Sequence, residues 1–186
     1  MLWVTGRIIH FDRVASAWLI SRFIDPEATF GFIEPGSEFP PGAVTYSMVG
    51  GDIGRHDHEG TTFSKLIKRH QLKDAALAEM ERIVAAGVGY VMEGRQPGPD
   101  DRAAWIAVGL LAVAEGTLAM ENTDADVLRQ SLPVWDAIYV DAGLHALRTT
   151  PPGAPGDGDA LLGTKYGMAL ARLRQVPGRA RARGQI

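Results

Sequence analysis

A chain of 186 residues, 46% hydrophobic and 22% charged, is long enough for one domain with its own core and has an ordinary globular composition. A net charge of −3 gives no electrostatic reason to hold nucleic acid, and no uninterrupted apolar run reaches the ~18 residues of a membrane span, so neither partner is expected. The absence of cysteine excludes disulfides, thiolate catalysis and cysteine-ligated metals, so any metal must rest on His, Asp and Glu, which suit zinc, manganese or iron.

The start, Met1-Leu2-Trp3-Val4-Thr5-Gly6-Arg7, has no basic segment followed by an apolar run. No signal peptide is read there, and a bacterial cytoplasmic location is the expectation. Residues 3 to 10, with Trp3, Val4, Ile8 and Ile9, predict a buried strand. Asp12 is placed to cap a helix carrying Val14, Ala17, Trp18 and Ser21 on one face, ended by Asp25-Pro26. Residues 30–33 and 43–48 predict two more strands, separated by Pro-Gly turns.

The stretch Gly50-Gly51-Asp52-Ile53-Gly54-Arg55-His56-Asp57-His58-Glu59-Gly60 follows the third strand and concentrates ligand-type side chains between glycines. After it, Thr61 or Thr62 and then Asp74 cap two core-packing helices, and Gly87-Val88-Gly89 breaks the pattern. Ala103 to Met120 is so apolar that it predicts a nearly fully buried helix. Asn122-Thr123-Asp124 opens a further helix, which Pro133 kinks or begins. Trp18, Trp105 and Trp135 fall at core spacing. These elements predict an α+β fold, a small N-terminal sheet covered by four or five helices, in one domain over residues 1–148.

Residues 149–186 read as a Pro/Gly linker and a basic tail, in which Leu161 to Arg174 form a short amphipathic segment and Arg172 to Arg183 a cluster of five arginines. His70 and His145 read as helix-end or surface residues.

Two clusters carry the candidate chemistry. His10 with Asp12, and His56 with His58, have the one-residue spacings that project both donors to one side of an extended chain, and with Asp57 as an added carboxylate they are the candidate ligands of a divalent metal ion. Asp52 and Glu59 are additional carboxylates. Arg7, Arg13 and Arg55 flank both clusters and suit a tetrahedral oxyanion, because a guanidinium beside a helix N-terminus offers a planar fork of donors. The bland alternative is that Asp12 caps its helix, the central histidines are solvated, and Arg13 pairs with a carboxylate. A first-turn Arg opposes the helix dipole unless an anion or carboxylate compensates it.

The run from Asp12 to Ala28, with the Gly/His-rich stretch, Thr62-Phe63 and Pro133 to Tyr139, resembles the C-terminal domain of the chromate-resistance protein B family, in outline from about residue 3 to about 141. The resemblance implies a bacterial cytoplasmic protein of the chromate response, with Arg13 and either His56 or His58 in oxyanion sensing. Thr61 stands where many members carry cysteine. More weakly, His10-Phe11-Asp12, Val49-Gly50-Gly51 and Arg55 to His58 are similar to the metal segments of DHH-type phosphoesterases and their MYG-type relatives, where paired Asp-His-His motifs hold manganese; here Glu59 takes the third position. The first resemblance implies a protein that binds a metal or oxyanion, with Arg13 gripping the anion and His10, Asp12, His56 and His58 holding metal or donating hydrogen bonds. The second implies a metal-dependent hydrolase acting on a phosphoester, in which the ion lowers the pKa of a water toward ~7. A homo-oligomer is left open.

Overall fold

The computed structural model describes residues 1–149; the expected linker and basic tail beyond Thr149 lie outside the described residues. Its sheet has three strands, β1 (Leu2–Gly6), β2 (Thr29–Ile33) and β3 (Val44–Thr45), in the order β2-β1-β3. Both pairings are parallel, with Trp3 opposite Phe30 and Val44. Helix α1 (Phe11–Leu19) and a π-helical turn, Ile20–Ile24, make the crossover from β1 to β2. Helices α2 (Thr62–Arg69), α3 (Ala75–Glu93), α4 (Arg102–Met120) and α5 (Asp124–Thr149) follow. This is the expected α+β architecture with a helix-rich C-terminal half.

The core forms because α1 buries nearly its whole surface: Val14, Ala15, Ala17, Trp18 and Leu19 are all at most 2% exposed. Each large apolar side chain buried in this way contributes about 1.5–3 kcal/mol. Trp18 packs on Phe23 and Tyr139 with ring centroids 5.5 and 5.6 Å apart, joining the crossover to α5. The Trp18 indole N–H also donates to Asp136 Oδ1 at 2.9 Å, and the Arg22 guanidinium, on the π-helical turn, donates to both Asp136 oxygens at 3.0 and 3.2 Å. A second buried carboxylate, Glu79 of α3, pairs with Arg82 and with Arg102 at the start of α4, and Arg102 also pairs with Asp141 of α5.

Thr61 and Asp74 cap α2 and α3 as expected. Three expectations need correction. Asp12 does not cap α1: His10 occupies the N-cap position, no side chain caps it, and Asp12 lies in the first turn. Gly87-Val88-Gly89 does not break α3, which runs through it. Gly87 is there because a Cβ would lie 2.3 Å from the Phe11 ring, so a helical glycine lets α1 approach α3. Helix α4 is not nearly all buried: Ala107, Leu110 and Leu111 are, but Trp105 is 55% exposed rather than core. By length and composition α4 is also apolar enough to cross a membrane, since Glu115 is the one charge among residues 103–120.

Candidate functional site

The two ligand-rich clusters meet because both follow the carboxyl ends of adjacent parallel strands. The chain leaves β1 toward β2 on one side while β3 pairs on the other, and that reversal opens a crevice at the strand ends. His10 to Arg13 enter it from β1, and Arg55 and His56 from the loop after β3.

Backbone conformation on both sides is costly. Ile8, just after β1, has φ 57°, a left-handed conformation that a β-branched residue rarely adopts. The carboxylate of Asp124, at the start of α5, accepts from the N–H groups of Ile8 and Ile9 at 3.2 and 2.8 Å, and so holds the turn that launches α1. Ser47, just after β3, has φ 54° and is buried. Its N–H donates to the Ile53 carbonyl at 2.9 Å. Such strain, of order 1–3 kcal/mol per residue, collects where a fold aims a site.

Asp52 closes the loop after β3: its Oδ2 accepts from the Thr45 N–H and hydroxyl, both at 2.8 Å, and these bonds hold its carboxyl below the usual range. This clasp leaves Asp52 outside the pocket lining. Downstream, Asp57 pairs with Lys65 at 2.6 Å and accepts from the Glu59 N–H at 2.8 Å. The Lys65 bond is the main reason its carboxyl is held low. Asp57, His58 and Glu59 are exposed, so the His56-to-His58 spacing places only His56 among the pocket residues.

The pocket has a volume of about 250 Å³. Its polar side is His10, Asp12, Arg13, Ser47, Arg55 and His56, and its apolar wall comes from Phe11, Val88, Val91 and Met92 with Leu111 of α4. Arg13 Nη1 donates to the Arg7 carbonyl at 3.1 Å, and among the described residues no carboxylate lies in ion-pair distance of Arg13 or Arg55. Arg7 lies outside the lining, paired with Glu34 and, at 3.8 Å, with Asp124. Burial lowers the His10 pKa, opposed by Glu115 of α4. His10 therefore stands neutral at pH 7, with one ring nitrogen donating and one accepting.

Asp12 is partly exposed as a residue, yet its Oδ1 is sealed and has no hydrogen-bond partner among the described residues. Burial pushes the carboxyl pKa up, against Thr62, Phe63 and the nearby His56, which favour the charged form. Native Asp12 thus holds its proton to higher pH than the unfolded chain does. Its contribution falls as pH rises from the unfolded range near ~4 through the native value. Asp12→Asn in ligand-free protein is therefore expected to raise the melting temperature at pH 7, with the gain vanishing below about pH 4. A gain that persisted undiminished to pH 3 would place its cause elsewhere.

Behind the pocket the Tyr46 hydroxyl is fully buried with no hydrogen-bond partner among the described residues, and burial drives its pKa far up against the nearby Arg13. Tyr46, Ser47 and the wall from α3 and α4 were not legible as site residues. Their one signal was the apolar composition of the helices, which points equally to core. Among the described residues no three His, Asp or Glu side chains converge as metal ligands do.

The family model described as ChrB, C-terminal domain, matches residues 3–142. Protein ChrB of Cupriavidus metallidurans is 32% identical over 141 residues, which cover 74% of this chain and 39% of that protein. The chain thus spans well under half the length of this relative. No solved structure matches.

Proposed function

We infer the function from one premise: the chain belongs to the ChrB C-terminal domain family. We propose that it is a chromate-resistance-like cytoplasmic protein that binds a small tetrahedral oxyanion in the pocket between the carboxyl ends of β1 and β3. The observation that carries this reading is a pair of guanidinium groups, Arg13 and Arg55, lining one small pocket with His10 and His56 and lacking carboxylate partners among the described residues. An unpaired Arg in the first turn of α1 is unfavourable beside the positive end of the helix dipole, and a bound anion relieves it. Arg13, steadied by the Arg7 carbonyl, supplies the planar fork. Arg55 closes from the exposed side, and His10 and His56 add hydrogen bonds.

Calorimetric titration of the full chain, purified without a metal column, with chromate, hydrogen phosphate and sulfate tests this. Saturable binding of one anion per chain, weakening as salt is added, is expected. Failure of all three anions to bind at low salt would dismiss the reading.

A divalent ion held by the pair Asp12 and His56, with water completing its shell, is the second reading, and one observation favours it: the buried Oδ1 of Asp12, which has no hydrogen-bond partner among the described residues. In that case zinc or manganese co-dialyses with the parent but not with His56→Ala, and turnover of a generic phosphodiester separates a hydrolase from a binding protein.

A further inference from the structure

Helix α4 is apolar on two faces. One packs into the core; on the other, Trp105, Gly109, Ala112, Val113, Gly116 and Met120 form a single exposed stripe with the 3- and 4-residue spacing of a helix seam. Trp105, Val113 and Met120 are 55%, 47% and 80% exposed. Two features set this face apart from scattered surface hydrophobes.

The first is its glycines. Each mid-helix glycine costs about 1 kcal/mol relative to alanine. A Cβ built at Gly109 or Gly116 would meet no atom within 4 Å, so no packing among the described residues requires either. Gly87 is the contrast, since Phe11 fills its space. Glycines on a helix face that none of the described residues approaches are explained when another helix approaches it closely, at an axial distance near ~8 Å.

The second is symmetry. The stripe reads the same in size from either end about a point between Ala112 and Val113: bulky Trp105 and Met120 outermost, Gly109 and Gly116 inside them, and two small or medium residues at the centre. A two-fold axis at that point sets Trp105 of one copy against Met120 of the second and Gly109 against Gly116, while the two helix dipoles oppose. An isologous interface needs such self-complementarity.

We propose that two copies of this chain associate through this face of α4, with the two helices antiparallel. The contact runs the length of 19 residues, or ~28 Å. At a helix width of ~10 Å it covers roughly 300 Å² of each copy. That is below the ~800 Å² per partner of a standard interface, so the dimer is concentration-dependent rather than permanent. The pocket is lined by Leu111 on the opposite, core-facing side of the helix, so pairing through this stripe leaves the pocket uncovered.

The absence of native cysteine permits a direct test with the full chain. Next to the axis, a single Ala112→Cys faces its own counterpart. Met120→Cys lies ~11 Å along the helix from the axis, so its two copies are about 22 Å apart, far beyond the ~7 Å Cα separation a disulfide tolerates. Under mild oxidation Ala112→Cys is expected to form covalent dimer at least ~10-fold faster than Met120→Cys. The parent's sedimentation mass should rise from 20.0 kDa toward twice that value with concentration. Val113→Lys should remain monomeric with an unchanged melting temperature. Equal cross-linking at the two positions overturns the antiparallel pair. A monomer at every concentration, whether because lipid vesicles take up the face or because residues 150–186 cover it, overturns self-association.

Discussion

Asp136→Ala is expected to lower folding stability by about 3–5 kcal/mol, the cost of stripping one partner from a buried ion pair. The Arg22 and Asp136 side chains are 6% and 11% exposed, so Arg22 cannot recover its lost bonds from water without reopening the contact between the π-helical turn and α5. The Trp18 indole N–H loses its acceptor at the same time. Urea unfolding followed by tryptophan fluorescence reads the effect as a fall in midpoint. Replacing both partners by apolar residues of similar size, as in Arg22→Met with Asp136→Leu, is expected to regain much of the loss, because no buried charge is then left alone. A single variant losing less than 1 kcal/mol would show that the pair is solvated and does not tie α5 to the crossover.

Arg13→Gln is expected to weaken oxyanion binding by ~10–100-fold, the ~1.5–3 kcal/mol of a charge-assisted hydrogen-bond pair, while leaving stability unchanged or slightly higher. The stability arm follows from the helix dipole: removing a positive charge from the first turn of α1 relieves a repulsion in the ligand-free protein. The two readouts moving in opposite directions separate a ligand-binding role from a packing role, in which both would fall. Arg7→Gln serves as the comparison. Its charge is occupied by Glu34 and Asp124, so a smaller loss is expected.

Much of the architecture was legible because it depends on local chemistry. Thr61 and Asp74 capped the helices that follow them since a side-chain oxygen there can reach orphan N–H groups, whatever the rest of the chain does. The first strand and the helix after it followed from periodicity. Where the reading failed, a long-range contact outweighed a local rule. Gly87 looked like a helix breaker because its need was set by Phe11, 76 residues away in sequence. Asp12 looked like a cap because the signal for capping is residue type, while the carboxyl is in fact held beside Thr62, Phe63 and His56. The apolar content of α4 was read as burial, since composition does not say how many faces of a helix the rest of the molecule covers.

What the residues alone determined is the family-bearing framework: the strand, the Asp12 to Ala28 run and the closing helix at Pro133 to Tyr139, together with the candidate donors His10, Arg13, Arg55 and His56. Even within that framework Trp18, Arg22 and Asp136 were only motif letters, and the fold makes them one buried hydrogen-bonded group. Only the tertiary structure decided that β3 pairs beside β1, which brings two clusters more than 40 residues apart to one crevice and leaves Asp57 and His58 outside it. The physical reason is that side-chain spacing specifies which groups share a face of one segment, whereas strand order and the charge partners of each arginine are set by contacts between segments.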